Sequence, residues 1–421
     1  MPQERAGTLP LQAGAPRPLA AFRVVELPGA PQLPAGRALA DLGAEVIKIE
    51  PPGGDPARLL PPTARSRDGS TSSLYWAAYS LGKRSVTADL VTEEGRAIVL
   101  RLVAGADVLL ESYPPGVLEA YGLGYERLRA ENPGLVLTSL TPFGQSGPYA
   151  GWRGSDLVQF AMSGYLYMTG PKDGTPIKPS APYQTWLYGS LQAVAGTLLA
   201  LRQRKRSGRG AHVDQALRDT GLWMLTHTYQ FYDLLGINLQ RHGARRDVGG
   251  AVRLPYVYRC LDGYVVWLFH SGDSRGRYTR MLVEWMAEHG LAPDWLLEQD
   301  WLTFDLLTAG PEMERRLAET FGAFFATKRK AELFEWAIAK GAMLAPVHTL
   351  RDLLDDVQLA SRQAWRSLEL DVGDGPVRVP GPPIRMSEAA WEPRGAGPAV
   401  GAHNRELLPQ PDRQDDAKPG G

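Results

Sequence analysis

The sequence predicts an α/β fold organised around a parallel β-sheet, and three observations support this prediction. Short apolar runs typical of buried strands recur through the N-terminal third of the chain. Helical periodicity lies between successive runs, which indicates parallel β-α-β units. No G-x-G-x-x-G sequence follows any of these runs, so the layer is predicted to be Rossmann-like without the dinucleotide-binding fingerprint.

The individual elements follow from these periodicities. Five apolar runs predict the strands of the sheet: 21–27, 45–50, 84–90, 107–111 and 135–140. Helical patterns predict the main helices: 34–42, 92–104, 155–168, 183–204 and 213–235. Farther along the chain, turn-forming residues between short apolar runs predict β-hairpins at 255–269 and 367–380.

The charge balance argues against a nucleic-acid-binding protein. Lys plus Arg and Asp plus Glu both number 46, so the formal net charge is zero. Nucleic-acid binders usually carry a basic excess, which this chain lacks. An anionic ligand would therefore have to be held by a local group of cations.

Cysteine, histidine and hydropathy patterns predict a cytoplasmic protein without a metal site. Cys260 is the one cysteine, which excludes an intrachain disulfide and a cysteine-based metal cluster. The seven histidines show no metal-ligand spacing. The start of the chain lacks the pattern of a signal peptide, and the longest apolar stretch, 187–201, is short and interrupted for a membrane span. We therefore expect no membrane partner.

Five segments in a fixed order carry the most specific signal in the sequence. They are LADLGAEVIKIEPPGGDPAR at 39–58, the stretch 82–150 that begins GKRSVTADL, SDLVQFAMSGYLYMTG at 155–170, RSGRGAHVDQALRDT at 206–220, and APVHTLRDLLDD with VRVPGPPIRMS near the C-terminus. Together they resemble the class III CoA-transferases, also called the CaiB/BaiF or formyl-CoA transferase family. The resemblance covers most of the chain outside the two tails and much of 240–341.

This resemblance implies a domain organisation and a quaternary structure. The expected large Rossmann-like domain is built from both chain ends, 19–220 and 331–393, with a smaller domain inserted at 221–330. Tails rich in Pro and Gly, 1–18 and 394–421, are expected to be disordered. Two subunits of the family form an interlocked, ring-like dimer, so the partner is expected to be a second copy or a homologous subunit.

The same resemblance implies acyl-CoA and a carboxylic acid as substrates, with no permanently bound cofactor. It places CoA contacts at Ser112 and Tyr113 after one strand, at Ala88 near the end of another, and at the cations Lys83 and Arg153. Cations suit the pyrophosphate and ribose phosphate of CoA. A solvated loop position remains an alternative for Arg153, and a buried ion pair remains one for Lys83.

The family's nucleophile has no counterpart in this sequence. In the family, one Asp attacks the acyl-CoA thioester, forms a mixed anhydride and then becomes an aspartyl-CoA thioester. Counting forward from Gly170 places the equivalent position at Thr185, and counting back from Gly196 places it at Trp186. Neither is a carboxylate, and no His lies nearby in sequence to activate the Thr185 hydroxyl. The catalytic group is therefore unknown from the sequence.

Other family features are also altered. A racemase branch uses a His-Asp pair that reads Ser155-Asp156 here, so racemisation is not expected; both residues are predicted to cap the following helix. The loop 28–33, which approaches the thioester in the family, is one residue short. Gly249 and Gly250 correspond to a mobile glycine segment of the family or form an ordinary turn.

Three functional hypotheses remain open at this stage. The chain is a subunit of a CoA-transferase whose homologous partner supplies the Asp, which is the one we favour. Alternatively, it is a stand-alone transferase, lyase or isomerase that acts on acyl-CoA by another route. The third hypothesis is a non-catalytic acyl-CoA-binding protein.

Overall fold

The computed structural model describes residues 15–179, 181–245, 254–273 and 275–408, with the backbone alone at 307. These residues form two compact units. The first comprises the described parts of 1–163, 179–224 and 357–421, and therefore draws on both ends of the chain. The second comprises 164–178 and the described parts of 225–356. The predicted insertion 221–330 overlaps this second unit, which also takes in 331–356.

The described residues contain thirteen strands: β1 Arg23–Glu26, β2 Glu45–Glu50, β3 Thr63–Arg65, β4 Thr71–Ser73, β5 Arg84–Thr87, β6 Val108–Glu111, β7 Val136–Thr141, β8 His212–Ala216, β9 Val257–Cys260, β10 Gly263–Trp267, β11 Leu344–Pro346, β12 Trp365–Leu368 and β13 Val377–Pro380. A short 3₁₀ helix spans Pro56–Leu59.

The α-helices of the described residues are α1 Leu33–Asp41, α2 Leu74–Tyr79, α3 Glu93–Ala104, α4 Val117–Ala120, α5 Tyr125–Glu131, α6 Asp156–Met162, α7 Gln184–Ser207, α8 Leu217–Met224, α9 Gln230–Leu235, α10 Gly276–Glu288, α11 Asp294–Leu297, α12 Leu306–Ala326, α13 Lys330–Lys340, α14 Leu350–Leu354, α15 Val357–Ser361 and α16 Asn404–Leu407. Helix α12 is kinked at Gly310, which has a positive φ of 78°.

The central sheet of the first unit is parallel, as predicted. Its six strands lie in the order β5-β2-β1-β6-β7-β8, and every neighbouring pair runs parallel. The inner strands are buried along almost their whole length because helices cover both faces, which explains why each strand carries apolar side chains on both faces. The five predicted strands are all present, so the α/β prediction is confirmed.

Alternating side chains of the sheet enter two separate cores. Val24 of β1 packs with α1 and α7 on one face, through residues such as Leu39 and Val194. Its neighbour Val25 packs with α3 on the other face, through residues such as Val99. Successive side chains of a strand point to opposite faces, so one apolar run supplies both layers.

The sixth strand corrects the sequence analysis. The predicted helix 213–235 is wrong: its first part is strand β8, and helices α8 and α9 follow separately. The sequence HVDQA of β8 is polar and half exposed, so it lacks the apolar signature of the inner strands. Its strand conformation comes from pairing with β7 at the edge of the sheet, a contact that local sequence does not encode.

Two further helices differ in extent from their predictions. The predicted helix 155–168 ends at Met162, because Ser163 and the positive-φ Gly164 close it. The predicted helix 183–204 is α7, and it continues to Ser207 before a left-handed Gly208. One side of its first half is buried, as expected for a helix that packs against the sheet, whereas Tyr188 and Leu191 on this half are exposed.

The second unit has its own core around a three-stranded sheet in the order β11-β10-β9. The predicted hairpin 255–269 is confirmed as β9 and β10, which pair antiparallel across a tight turn. Aromatic side chains fill the core, with Trp267, Trp301 and Phe321 fully or almost fully buried. The indole rings of Trp285 and Trp336 stack with centroids 4.9 Å apart.

The described C-terminal segment, from 357 onwards, belongs to the first unit. The second predicted hairpin, 367–380, is confirmed as the antiparallel pair β12 and β13. The tail expected to be disordered from 394 instead continues as structure to 408, because Asn404 bonds both the backbone and the side chain of Thr87 at the edge of the sheet. The parts of the predicted tails at 1–14 and 409–421 lie outside the described residues. No helix in the described ranges combines the length and apolar character that a membrane crossing requires.

Candidate active site

The sheet of the first unit has one topological switch point, between β1 and β6. The chain proceeds from β1 to β2 and β5 on one side, and then returns to place β6, β7 and β8 on the other. In open α/β sheets, ligands bind outside the carboxyl ends of the strands at such a reversal. The loops 28–33 after β1 and 112–116 after β6 therefore border the candidate binding crevice.

These two loops contact each other directly. The Ser112 hydroxyl donates a hydrogen bond of 2.6 Å to the side-chain oxygen of Gln32. The Gln32 amide in turn donates to the Leu27 carbonyl at 2.8 Å. Gly29 has a φ of +144°, and a Cβ there would lie 2.6 Å from the Ser112 hydroxyl oxygen. Glycine is therefore required at 29, and Ser112 holds the neighbouring loop.

Tyr113 lies in a half-buried position at the same switch point. Its backbone N–H donates to the Glu111 carboxylate at 2.6 Å. Its ring packs edge-on against Tyr121, with centroids 6.2 Å apart, and burial raises the pKa of the Tyr113 hydroxyl. Packing thus holds the ring at the crevice. Because burial raises the pKa of the hydroxyl, the phenol is neutral at physiological pH.

The remaining predicted CoA contacts occupy different environments. Arg153 is exposed on the loop that precedes α6. Ala88 is buried just after β5, and its N–H donates to the Glu50 carbonyl at 2.8 Å. The Lys83 ammonium is fully buried and donates to the Glu26 carboxylate at 2.7 Å and to the Leu33 carbonyl at 3.0 Å. Of the two alternatives given above for Lys83, the structure therefore has the buried ion pair.

Four charged side chains meet beneath the loop 28–33. Lys48 lies 2.7 Å from Asp55 and 3.4 Å from Glu26, and Glu26 also binds Lys83. Burial lowers the pKa of Lys83 to about 8, against the opposing effect of Glu26. Burial would raise the pKa of Asp55, but the charge and hydrogen bond of Lys48 outweigh burial and leave that pKa lowered.

A carboxylate reaches the start of helix α7 from another part of the chain. One oxygen of Asp156 accepts hydrogen bonds from both the backbone N–H and the hydroxyl of Thr185, each at 2.8 Å. Ser155, not Asp156, caps α6 with its side chain. The positive end of the α7 dipole favours a negative charge at this place. The Thr185 hydroxyl thus donates to the Asp156 carboxylate, whereas Thr185 and Trp186 supply no carboxylate of their own.

Aromatic rings surround the same helix start. Trp186 stacks on Tyr183 with centroids 4.7 Å apart and an interplanar angle of 16°. The Tyr75 ring meets Tyr183 edge-on at 4.9 Å. Tyr183 has a positive φ of 62°, a strained backbone state for a bulky residue, and its hydroxyl donates to the Pro61 carbonyl. Tertiary packing therefore holds Tyr183 in a conformation that local sequence disfavours.

A series of hydrogen-bonded polar side chains beside the crevice was not predicted from the sequence. Glu111 at the end of β6 is buried, and burial raises its pKa to about 7 although Ser139 and the Tyr113 backbone hydrogen-bond to it. Ser139 also lies 2.9 Å from the Nε2 atom of His212, whose pKa burial lowers. The three residues come from β6, β7 and β8. Only the register of the sheet brings them together.

The described part of the chain contains no group of side chains suited to bind a metal ion. Among those residues, no three His, Cys, Asp or Glu side chains are grouped closely enough to hold a metal ion. Gly249 and Gly250, the predicted mobile glycine segment, lie outside the described residues.

The chain matches the sequence profile of CoA-transferase family III over residues 19–404. The chain belongs to this family. The match covers the crevice, the start of α7 and both compact units, so the resemblance noted in the sequence is confirmed.

Family III relatives share most of the chain. The subunit BbsE of succinyl-CoA:(R)-benzylsuccinate CoA-transferase from Thauera aromatica is 35% identical over 389 residues, which cover 92% of each chain. Succinate–glutarate CoA-transferase of Agrobacterium fabrum is 34% identical over 93% of this chain and 95% of its own. The crystal structure of a CaiB/BaiF family protein from Brucella suis superposes with a TM-score of 0.79 and 31% identity, covering 92% of this chain and 98% of that one.

Membership of CoA-transferase family III indicates the class of reaction. The protein is a class III CoA-transferase-like protein that handles acyl-CoA thioesters, either as a CoA-transferase or as a subunit of one. CoA thioesters are its substrates, not permanently bound cofactors.

Proposed function

We propose that this chain is one subunit of a heteromeric CoA-transferase, which moves CoA from succinyl-CoA to a second carboxylic acid. The nucleophilic carboxylate is supplied by a homologous, Asp-bearing subunit. One observation carries this proposal: at the start of α7, where the resemblance places the family nucleophile, the chain has Thr185 and Trp186, and their surroundings are already filled by Asp156 and by aromatic rings.

In this proposal, CoA lies along the carboxyl edge of the sheet in the first unit. The loops after β1 and β6 border the crevice, with Ser112 and Tyr113 on one side and Ala88 farther along the same edge. Arg153 is the exposed cation that would hold a CoA phosphate. Lys83 is omitted from the proposed contacts because its ammonium is buried against Glu26. The second unit would then be the smaller inserted domain.

The proposed partner is a homologous chain in an interlocked dimer. Large apolar side chains are exposed near α8 and α9, including Trp223 at 71%, Tyr232 at 66% and Leu234 at 76% of their accessible surface. Several large exposed apolar residues within so short a stretch are typical of a protein interface. The T. aromatica relative is itself named as a subunit. We place the complex in the cytoplasm, where CoA thioesters and a reduced Cys260 are both expected.

Co-expression tests this proposal. The chain would be purified alone and together with an Asp-bearing family homologue, and CoA transfer from succinyl-CoA to a panel of acids would be measured. We expect transfer by the pair, no transfer by this chain alone, and loss of transfer when the Asp of the homologue is replaced by Ala. Robust transfer by the isolated chain would refute the proposal.

The binding role of Arg153 needs a separate measurement. Arg153→Ala should weaken CoA binding by about 10- to 150-fold, because a charge-assisted hydrogen bond contributes about 1.5–3 kcal/mol. Arg280→Ala is a matched control, since Arg280 is an exposed arginine of the second unit. Equal CoA affinities for the two variants would remove Arg153 from the site.

One observation favours a second candidate function, a stand-alone transferase that uses Asp156. Its carboxylate lies at the start of α7, 2.8 Å from the Thr185 hydroxyl. In that case, the isolated chain would form an acyl-enzyme that hydroxylamine cleaves and borohydride reduces, and Asp156→Asn would abolish it. Binding of acyl-CoA without turnover, alone and in the pair, would instead indicate a non-catalytic binding protein.

A further inference from the structure

Three of the four buried charges beneath the loop 28–33, Lys48, Asp55 and Lys83, bond to its backbone, and the fourth, Glu26, pairs with both lysines. The Lys48 ammonium donates to the Leu27 carbonyl at 2.7 Å and contacts the Gly29 carbonyl at 3.3 Å. The Lys83 ammonium donates to the Leu33 carbonyl at 3.0 Å. The Asp55 carboxylate accepts the Gly29 N–H at 2.9 Å. Both ends and the first turn of the loop are therefore held by ions.

The carbonyls in the middle of the loop are held by neutral donors from other elements. The Tyr75 hydroxyl of α2 donates to the Ala30 carbonyl at 3.0 Å. The Ser190 hydroxyl of α7 donates to the Pro31 carbonyl at 2.9 Å. Five backbone N–H and carbonyl groups of this irregular loop thus have side-chain partners from other elements.

Stability alone does not account for this network. Two lysines and two carboxylates are buried completely, and buried ion pairs of this kind are weak contributors to stability because desolvation opposes their attraction. For a purely structural purpose, a packed apolar cluster would stabilise the fold equally well. Directional ion pairs and hydrogen bonds are better suited than apolar packing to fix one loop in one conformation.

The position of the loop indicates what it is fixed for. It lies at the topological switch point between β1 and β6, where the sheet binds its ligand. The Tyr75 ring that bonds the loop also packs against Tyr183 at the start of α7. The loop therefore joins the binding crevice to the helix start at which the reacting end of the ligand is proposed to lie.

We propose that Lys48, together with Glu26, Asp55 and Lys83, is a positioning residue that fixes the backbone of 28–33 against the acyl end of a bound CoA thioester. This inference rests on the proposed function, since it takes the crevice to be the acyl-CoA site. The ions touch the loop and not the ligand, so they act through the backbone that they hold. Substrate atoms meet a loop that is already in its binding conformation, which lowers the cost of binding the acyl group.

The double variant K48M/D55N tests the proposal in the full chain. It removes one positive and one negative charge together, so the pair of Glu26 and Lys83 stays balanced. The variant R366M/E392Q is the matched control, because it removes an ion pair of the same unit that does not contact the loop. Ser190→Ala is a milder second variant, which removes a single hydrogen bond to the loop and leaves every charge in place.

Two readouts distinguish positioning from a general structural role. Amide hydrogen exchange of the peptide 27–33 should accelerate at least about ten-fold in K48M/D55N and several-fold in Ser190→Ala, with exchange in β7 unchanged. Isothermal titration should show CoA affinity within about two-fold of wild type and succinyl-CoA affinity reduced about ten-fold. The control variant should match wild type in both measurements.

The outcomes separate this inference from the proposed function. If the wild-type chain binds neither CoA nor succinyl-CoA, the proposed function fails, and the claim about the acyl end fails with it. If the wild-type chain binds both ligands, but K48M/D55N and Ser190→Ala keep the wild-type ratio of affinities and the wild-type exchange of 27–33, the positioning role alone is overturned. Equal losses of both affinities together with faster exchange in β7 would also overturn it, because they indicate general destabilisation.

Discussion

Replacing Glu111 with Gln should remove a pH-dependent loss of stability from the first unit. Glu111 is buried at the end of β6, and burial raises its pKa from the ordinary 4.5 to about 7. Between these two values, the unfolded chain has lost the proton while the folded chain keeps it. The folded state therefore binds more protons, and stability falls as the pH rises from about 4.5 to about 7.

The magnitude follows from the separation of the two pKa values. A difference of about 2.5 pH units corresponds to about 3 kcal/mol, and this value already includes the hydrogen bonds from Ser139 and the Tyr113 backbone. Glutamine has nearly the same shape and cannot ionise. The Glu111→Gln variant should therefore gain about 2–3 kcal/mol over wild type between pH 4.5 and 7.5, with little further change above that.

Denaturant unfolding at one-unit steps from pH 4.5 to 7.5 measures this difference directly. The wild-type and variant curves should diverge steadily with pH, since all other ionisable groups are common to both. Glu94→Gln, which alters an exposed acid on α3, should follow the wild-type curve. A difference between wild type and Glu111→Gln that stays flat over this range would refute the assignment of a raised pKa to Glu111.

Three other predictions follow from the contacts around the site. Lys48→Met should destabilise the fold by about 3–5 kcal/mol, because it leaves the Asp55 carboxylate buried without its cation. In denaturant unfolding, the double variant K48M/D55N should recover part of that loss. Equal stability of the single and the double variant would contradict this explanation. Thr185→Val should cost about 1 kcal/mol by removing the hydroxyl that donates to Asp156, and unchanged stability would mean that this hydrogen bond contributes nothing net. Asn404→Ala should cost about 1–2 kcal/mol and speed amide exchange in β5, whereas unaltered exchange there would show that the C-terminal segment does not protect the edge strand.

The sequence alone determined the layered fold and the family, because both are encoded in local patterns. Runs rich in apolar residues, such as 45–50 and 107–111, become inner strands because both faces of these strands are buried. Turn-forming residues after Cys260 likewise predicted the hairpin of the second unit. Counting along a motif also leads to the prediction that Thr185 or Trp186 replaces the family nucleophile, and this stays a prediction.

Tertiary structure decided the features in which distant residues meet. Strand β8 escaped prediction because its polar sequence becomes a strand only by pairing with β7. For Lys83 the sequence left a CoA phosphate and a buried ion pair as alternatives. In the structure Lys83 pairs with Glu26, 57 residues away, and only the register of β1, β2 and β5 brings the two together. Asp156 was expected to cap its own helix and instead reaches Thr185, 29 residues farther along the chain. The strength of such contacts depends on burial and on exact distance, and neither quantity exists until the chain has folded.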